Sequence, residues 1–367
     1  MALTQVQQGM VGTQTSIPMT YGAIGSGNSS IMKNRIINGA MVIDQRNAGA
    51  SVAITTSEPY ITDRFKGYAS QSGKLTAQQS STAPIGFVNS LLATSLSAYT
   101  VGSSEVFKLS QVIEGFNIAD LNWGSANSKT VTLSFQVQSS LTGTFGGALR
   151  NSADNYSYPF SYSIPVANTW TNISITIVGP TSGTWVTTNG AGIKVIFGLG
   201  CGSTVSGTAG SWSANYYESA TGATSVVGTS GATFYITGVQ LEVGSSATGF
   251  EYVNYQTSLA NCQRYCFKMS TTSNYGPYGM GHGVNTTTFR TFIKTPQTLR
   301  AQPTLSFSTA SGFIWSFGNA LSAISAAEYG VDGFSIDCTS TGLAANGGYL
   351  LTSNNNTTSS IIASAEL

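Results

Sequence analysis

Several stretches of the chain alternate apolar and polar residues with a period of two. The clearest lie at 130–138 and 170–179, and similar apolar runs occur at 192–200 and 233–244. Alternation over this length is typical of strands with one buried face and one polar face in water. Antiparallel sheets have this character, and two such sheets packed together form a sandwich or jelly roll. The pattern predicts an all-β chain built on an antiparallel jelly-roll sandwich.

The distribution of these runs divides the chain into four segments. Residues 1–34 are polar, Gly-rich and without periodicity, and are interpreted as an extended N-terminal attachment arm, although a disordered tail has the same composition. The jelly-roll domain is predicted over 35–255. A short helical linker over 256–268 leads to a smaller C-terminal β domain over 269–367.

Two local signals refine these boundaries. Asn38-Gly39 lies between two apolar clusters, which predicts a turn joining two strands. In the linker, Leu259, Cys262 and Cys266 have the spacing of residues that share one helical face.

The last residues of the sequence predict a hairpin. Two apolar pairs, at 350–351 and 361–362, flank a run of Asn, Thr and Ser, so the turn is expected within 353–358. Pairing the final strand would protect an apolar edge from aggregation. We therefore expect Ile361 or Ile362 to be buried and Glu366 to lie near solvent.

Charge is scarce, which restricts the partners. Charged residues make up 8% of the chain, against about 25% in typical soluble proteins. The 17 Tyr and 17 Phe nevertheless favour a folded chain. The net charge is +1 and the Lys and Arg residues are scattered, so neither nucleic acid nor an anionic membrane is an expected partner. There is no apolar run of about 18 residues and no signal-peptide pattern, so neither membrane insertion nor export by that route is expected.

The cysteines and the single histidine indicate neither a metal nor a cofactor. Four cysteines are too few for a disulfide scaffold in a chain of 367 residues. Cys262 and Cys266 would need two further ligands to bind zinc, so all four are interpreted as buried thiols. Calcium remains open, because Asp and Asn are frequent while no EF-hand-like loop is present.

Signatures of catalysis are missing from the sequence. His282 lies between two glycines without a nucleophile elbow, and is interpreted as a buried or loop-packing residue. Asp332 and Asp337 have a spacing that lets them face each other across a turn, or simply flank a strand. No Gly-rich phosphate loop leads from a strand into a helix. The chain is therefore expected to be no enzyme, with no catalytic residue.

Candidate ligand contacts are aromatic. Trp212, Tyr216 and Tyr217 lie in a turn-rich stretch at 200–231, and Tyr156 and Tyr158 lie in the run YSYPF. Aromatic faces beside short polar side chains suit sugar binding on a rigid scaffold. The alternative is that these rings pack the ends of the sandwich or a subunit interface. Trp123 and Trp170, by contrast, are interpreted as core residues.

Three segments resemble bacteriophage tail-fibre and virion appendage proteins. NRIINGAMVIDQRNAG (34–49), followed by PYITDRF (59–65), is similar to the entry of their jelly-roll module, and 236–266 is similar to its exit. Residues 299–367 resemble their terminal β domain. The resemblance implies a jelly roll shaped like carbohydrate-binding modules, a homotrimer, and a place on the virion, assembled in the host cytoplasm. It carries over no catalytic residue.

Three functions remain open at this level. The leading hypothesis is a trimeric tail fibre or receptor-binding protein, anchored to other virion proteins through its N-terminal arm and contacting host surface polysaccharide. The second is a capsid head fibre or decoration protein without a host ligand. The third is a polysaccharide depolymerase.

Overall fold

The computed structural model describes residues 32–316 and 318–367. The predicted attachment arm therefore lies outside the described residues, apart from 32–34. Almost all regular structure in the described chain is β, which confirms the predicted fold class. No described helix is long and apolar enough to cross a membrane.

From residue 32 onward, fourteen strands precede the α-helix. They are β1 (Val52–Ala53), β2 (Tyr60–Thr62), β3 (Phe65–Ala69), β4 (Leu75–Ser80), β5 (Ser90–Ser95), β6 (Val106–Glu114), β7 (Val131–Ser139), β8 (Gly143–Asn151), β9 (Ser157–Ile164), β10 (Thr171–Ile177), β11 (Ala191–Cys201), β12 (Ser206–Gly207), β13 (Ser219–Ala220) and β14 (Thr233–Val243). The first sheet has the order β1-β4-β5-β14-β7-β10, and the second has the order β2-β3-β6-β11-β8-β9. Both sheets are antiparallel throughout, and they enclose one apolar core as a jelly-roll sandwich.

The alternation seen in the sequence sets which side chains enter this core. Ile173 pairs with Phe135 and Ile175 with Leu133 across β10 and β7, and all four pack toward the second sheet. Burying one such side chain contributes roughly 1.5–3 kcal/mol. The intervening Ser, Thr, Asn and Gln residues lie on the outer face of the first sheet.

The turn at Asn38 is present, but the two strands predicted around it are not. Asn38 has a φ of 61°, and its side chain donates to the carbonyls of Ile43 and Asp63 while accepting from the Ile43 amide. These bonds hold residues 36–43 in an irregular loop. Ile36 and Met41 are still buried, because the loop packs its apolar side chains against the sandwich.

One helix, α1 (Tyr255–Gln263), follows the jelly roll. The side chain of Asn254 caps it by accepting a 2.8 Å hydrogen bond from the Thr257 amide. Cys262 lies buried on the helix as predicted, but Cys266 is already in the next strand, so the two thiols do not share a helical face.

Nine strands follow the helix in the described part of the chain. They are β15 (Cys266–Ser270), β16 (Pro277–Gly283), β17 (Thr288–Lys294), β18 (Thr304–Phe307), β19 (Phe313–Trp315), β20 (Ala323–Tyr329), β21 (Gly333–Thr339), β22 (Gly348–Ser353) and β23 (Ser360–Ser364). A three-stranded sheet, β15-β23-β18, packs on a six-stranded sheet, β19-β22-β16-β17-β21-β20. The two enclose a second apolar core that includes Phe289, Phe313, Phe334 and Ile361.

The predicted terminal hairpin is wrong. β22 lies in the six-stranded sheet and β23 in the three-stranded sheet, so residues 354–359 cross between layers. Ile361 is buried, as expected. Glu366 is not near solvent: its side chain is 6% exposed and forms ion pairs with Arg64 and Arg46 of the jelly roll. The end of the sequence therefore joins the two cores.

The thiols are expected to be unreactive in the folded protein. Cys262, Cys266 and Cys338 are buried, whereas Cys201 is partly exposed. Burial raises the pKa of Cys201, Cys266 and Cys338 to about 12, so little thiolate exists at pH 8. We expect iodoacetamide to label none of them rapidly at pH 8 and all four after unfolding, as measured by mass spectrometry. Rapid stoichiometric labelling of the folded chain would contradict this.

Candidate functional site

Three of the predicted ring contacts meet at one end of the sandwich. Trp212 stacks on Tyr156 with centroids 5.6 Å apart and an interplanar angle of 13°, and Tyr158 lies 5.2 Å away. Trp123 and Trp185 each meet Trp212 edge-on at 5.4 Å. The faces and edges of these rings therefore pack against one another and cover the end of the core. This is the alternative role suggested by the sequence, in which the rings pack the end of the sandwich.

The other two predicted contacts lie apart from this cluster. Tyr216 is 40% exposed and donates its hydroxyl hydrogen to Glu218, while the Arg150 guanidinium lies 4.2 Å from its ring centroid. The ring of Tyr217 packs on Gly207, where a Cβ would come within 2.4 Å of it. The five predicted residues thus do not form one surface.

The segment that carries Tyr216 is seated on the outer face of the second sheet. Gly146 and Gly198 make room for it, because a Cβ at either would approach the Ser219 hydroxyl to 2.5 and 2.8 Å. Glu218 is brought by this seating to 2.8 Å from Lys108 and 2.7 Å from Arg150. Burial opposes ionisation of Glu218, but the two cations outweigh it and hold its pKa below 4.5. This face is thus occupied by an internal ion cluster.

The outer face of the first sheet is different, because a row of its polar side chains has no hydrogen-bond partner among the described residues. Trp170 precedes β10 and lies there, partly exposed, with its ring 6.2 Å from that of Tyr235 at 66°. The interpretation of Trp170 as a core residue is wrong, whereas Trp123 is buried as expected. The period-two alternation of the sequence indicates the observed position: Trp170 lies on the same polar side of the strand as Asn172, while Ile173 points toward the core.

A row of polar side chains continues from Trp170 along β7 and β10. The row consists of Ser134, Gln136, Gln138, Asn172 and Ser174, and Gln136 is directly opposite both Asn172 and Thr237. These five side chains make no hydrogen bond to any other residue of the described chain. The same holds, within 32–316 and 318–367, for the Trp170 indole nitrogen and the Tyr235 hydroxyl. A rigid sheet therefore presents amide, hydroxyl and indole groups with unused hydrogen-bonding capacity.

An aromatic ridge borders this row. Phe87, Phe250 and Tyr252 lie within 5.0–5.5 Å of one another, centroid to centroid. Gly238 makes room for the ridge: it has a φ of 61° beside a bulge in β14, and a Cβ there would come within 2.8 Å of the Phe87 ring. The ridge and four residues of the row, Ser134, Gln136, Asn172 and Ser174, line a groove of about 380 Å³, and no charged residue is part of this lining. Gln138, Trp170 and Tyr235 continue the same outer face beyond the groove.

A larger cleft of about 790 Å³ lies on the other side of the ridge, toward α1. The three charged residues of its described lining already have partners: Arg35 binds Asp120 at 2.8 Å, Arg264 binds Glu114 at 2.6 Å, and Glu251 accepts from the Asn34 amide at 2.6 Å. Met32, the first described residue, also lines it. We therefore place the candidate site on the uncharged groove.

The residues considered for catalysis are dispersed. His282 is exposed on β16, so its interpretation as a buried or loop-packing residue is wrong. Asp337 binds Arg290 through two hydrogen bonds, and Asp332 accepts one from Thr298, so the two aspartates do not face each other. Among the described residues, no group of three or more His, Cys, Asp and Glu side chains is placed to hold a metal.

No protein-family model matches the sequence, and no curated protein matches it. Solved structures do match part of the chain. A putative sugar binding protein from Bacteroides thetaiotaomicron is 12% identical, with a TM-score of 0.35, over 57% of this chain and 100% of that one. A family 11 carbohydrate-binding module from Clostridium thermocellum is 11% identical, with a TM-score of 0.27, over 55% and 98%.

A phage structure is also among these neighbours. The enzymatically active domain of tailspike protein 4 from bacteriophage CBA120 is 13% identical, with a TM-score of 0.33. The match covers 58% of this chain but only 22% of the tailspike domain. At these identities and TM-scores, none of the neighbours decides what the present chain binds, so the proposal below rests on the groove.

Proposed function

We propose that the chain is a non-enzymatic glycan-binding protein whose site is the groove on the outer face of the first sheet. The observation that carries this proposal is the row of five polar side chains without internal hydrogen bonds, with partly exposed rings at one end and the aromatic ridge beside it. Amide and hydroxyl groups suit the hydroxyls of a sugar, and aromatic faces suit its apolar C–H face. Strands hold these groups in place, so little ordering cost accompanies binding.

The ligand of this groove is an uncharged glycan. A carboxylate or sulfate placed in the groove would lose water without gaining a cation from the lining residues, and the Lys33 ammonium, which reaches the lining at Gly249, already donates to that residue's carbonyl at 2.6 Å. The acidic side chain of Glu242, on the same face, already accepts hydrogen bonds from Gln240 and Thr248 and is 2% exposed. Neutral polysaccharides therefore fit the groove, and acidic ones do not.

The biological setting we propose is that of a phage tail fibre or receptor-binding protein. In this setting, copies of the chain assemble as a homotrimer on the virion, are anchored through residues 1–34, and contact host surface polysaccharide. A low-charge groove gives weak individual contacts, which repetition over several copies strengthens through effective concentration. The family resemblance of the sequence supports this part of the proposal.

Replacing Trp170 by alanine is expected to weaken glycan binding by about tenfold or more, because a stacked ring contributes on the order of 1.4 kcal/mol or more. The purified chain is first screened on an array of neutral and acidic bacterial polysaccharides. Calorimetry with the best neutral ligand then compares the wild type with W170A and Q136A, at low and high salt.

Tyr216→Ala is the matched control, since Tyr216 is exposed on the opposite sheet. Binding of Y216A within about twofold of the wild type, with little dependence on salt, supports the groove. Loss of binding in Y216A but not in W170A would move the site to the second sheet. Absence of binding to every glycan would favour a decoration protein, and release of reducing sugar would identify a depolymerase.

A further inference from the structure

The six-stranded sheet of the C-terminal domain has an outer face that no other described residue covers. Its inner face packs on the β15-β23-β18 sheet, and the side chains on that side form the second core. On the outer side, Met280 is 76% exposed and Phe292 is 58% exposed. Exposure of large apolar side chains is ordinary when they are scattered, but these two are neighbours.

Strand register joins them into a continuous stripe. Met280 on β16 is directly opposite Leu350 on β22. Gly281 pairs with Thr291, which places Met280 beside Phe292 on β17. The Phe292 ring leans over Gly333 of β21, where a Cβ would come within 2.6 Å of it. An apolar stripe therefore crosses four adjacent strands.

Charges of both signs lie beside this stripe. Arg290 on β17 binds Asp337 at 2.7 and 2.9 Å and Glu328 on the edge strand β20 at 3.2 Å. Glu328 is 72% exposed and Arg290 is 34% exposed, so both still present charge to a partner. Cationic and acidic groups side by side can each pair with a group of opposite charge on another copy.

The size of the face is sufficient for a specific contact. Six strands about 4.8 Å apart and about seven residues long, at about 3.3 Å per residue, give roughly 600 Å² in projection. A standard interface buries about 800 Å² of accessible surface on each partner, and accessible surface exceeds its projection because side chains protrude.

We propose that this face, with Met280, Phe292 and Leu350 at its centre and Arg290 and Glu328 at its rim, is where a second copy of the chain docks. The contact is apolar at the centre and ion-paired at the rim, which is the usual anatomy of an interface. It lies in the C-terminal domain, away from the groove on the jelly roll. Self-association and glycan binding are therefore separable, and either can fail without the other.

Light scattering coupled to gel filtration and sedimentation velocity test this on the full chain over a concentration series. The wild type is expected to have the mass of more than one chain, and M280S/F292S the mass of a single chain. The matched control is V166S/V178S, which removes two exposed apolar side chains from the jelly roll (55% and 68% exposed) and is expected to keep the wild-type mass. Thermal melting checks that each variant is folded.

A second variant covers the case in which M280S/F292S does not fold. Glu328→Arg keeps the apolar stripe but places a second cation beside Arg290, so it is expected to weaken association about fivefold or more at low salt. A wild type with the mass of a single chain at every concentration would overturn the proposal. Folded M280S/F292S with the wild-type mass would do so as well, since the copies would then meet elsewhere.

Discussion

Replacing Glu218 by alanine is expected to lower the free energy of unfolding of the jelly roll by about 3–5 kcal/mol, the usual cost of removing one partner from a buried charge pair. Glu218 is fully buried and faces Lys108 and Arg150, which are 7% and 3% exposed. Without the carboxylate, Lys108 has no remaining anionic partner among the described residues, while Arg150 keeps Asp154 at 2.9 Å. Urea unfolding followed by near-UV circular dichroism measures the loss.

Glu58→Ala is the matched control, because Glu58 forms a 2.6 Å ion pair with Lys66 at the surface, with 35% of its side chain exposed. Its loss is expected to cost less than about 1 kcal/mol. Equal effects of the two substitutions would contradict the structural role assigned to Glu218.

The effect of Glu218 also depends on pH in a defined direction. Its pKa in the folded protein lies below the ordinary value of 4.5, so its contribution is fully present above pH 4.5. The contribution is lost as the pH falls through the lower, folded-state pKa. The difference in stability between the wild type and Glu218→Ala should therefore be constant above pH 5 and shrink in more acidic solution. A difference that grows in acid would contradict this assignment.

The strands of the sandwich could be predicted because their signal is local. A residue on β7 or β10 faces the core or solvent according to its parity, and Leu133 and Ile175 followed that rule. Trp170, one residue before β10, obeys the same rule and lies on the polar face with Asn172, although a large aromatic ring by itself favours a core position.

The groove and the ion clusters could not be predicted, because they depend on contacts between distant parts of the chain. Phe87 meets Phe250 and Tyr252 only because Gly238 opens a bulge beneath it. Glu218 becomes a buried anion only when its segment settles on the glycines of the second sheet. Neither the ring cluster nor the buried ion cluster leaves a periodic pattern in the sequence, because both form between segments that meet only in the folded sheets.

The terminal hairpin was also predicted wrongly because the pairing of the last strand depends on contacts between distant parts of the chain. The apolar pairs at 350–351 and 361–362 predict a hairpin, because a run of Asn, Thr and Ser that suits a turn lies between them. The structure separates them into two sheets, since β23 finds partners on both sides in β15 and β18. This pairing places Glu366 next to Arg64, which lies 302 residues earlier in the sequence. The Glu366 carboxylate there compensates the charge of the buried guanidinium.

Removing residues 360–367 is expected to unfold the C-terminal domain while the jelly roll stays folded. The deletion takes out the central strand of the β15-β23-β18 sheet, together with Ile361 in the second core. It also leaves Arg64, 1% exposed, without the Glu366 carboxylate. The first core contains no residue beyond 241 and should survive. Scanning calorimetry of the truncated chain should therefore show the transition of the jelly roll and lose that of the C-terminal domain.

Two single substitutions within β23 test how much each side of the strand contributes to the free energy of unfolding. Ile361, 1% exposed, faces the core, and its replacement by alanine is expected to cost about 2–5 kcal/mol. Ile362 is half-buried on the opposite face of the strand, so the same change there should cost clearly less. If the truncated chain melts with the same transitions and enthalpy as the full chain, β23 is not part of the domain's folded structure. Equal losses at 361 and 362 would instead contradict the assigned orientation of the strand, because only one of the two side chains lies in the core.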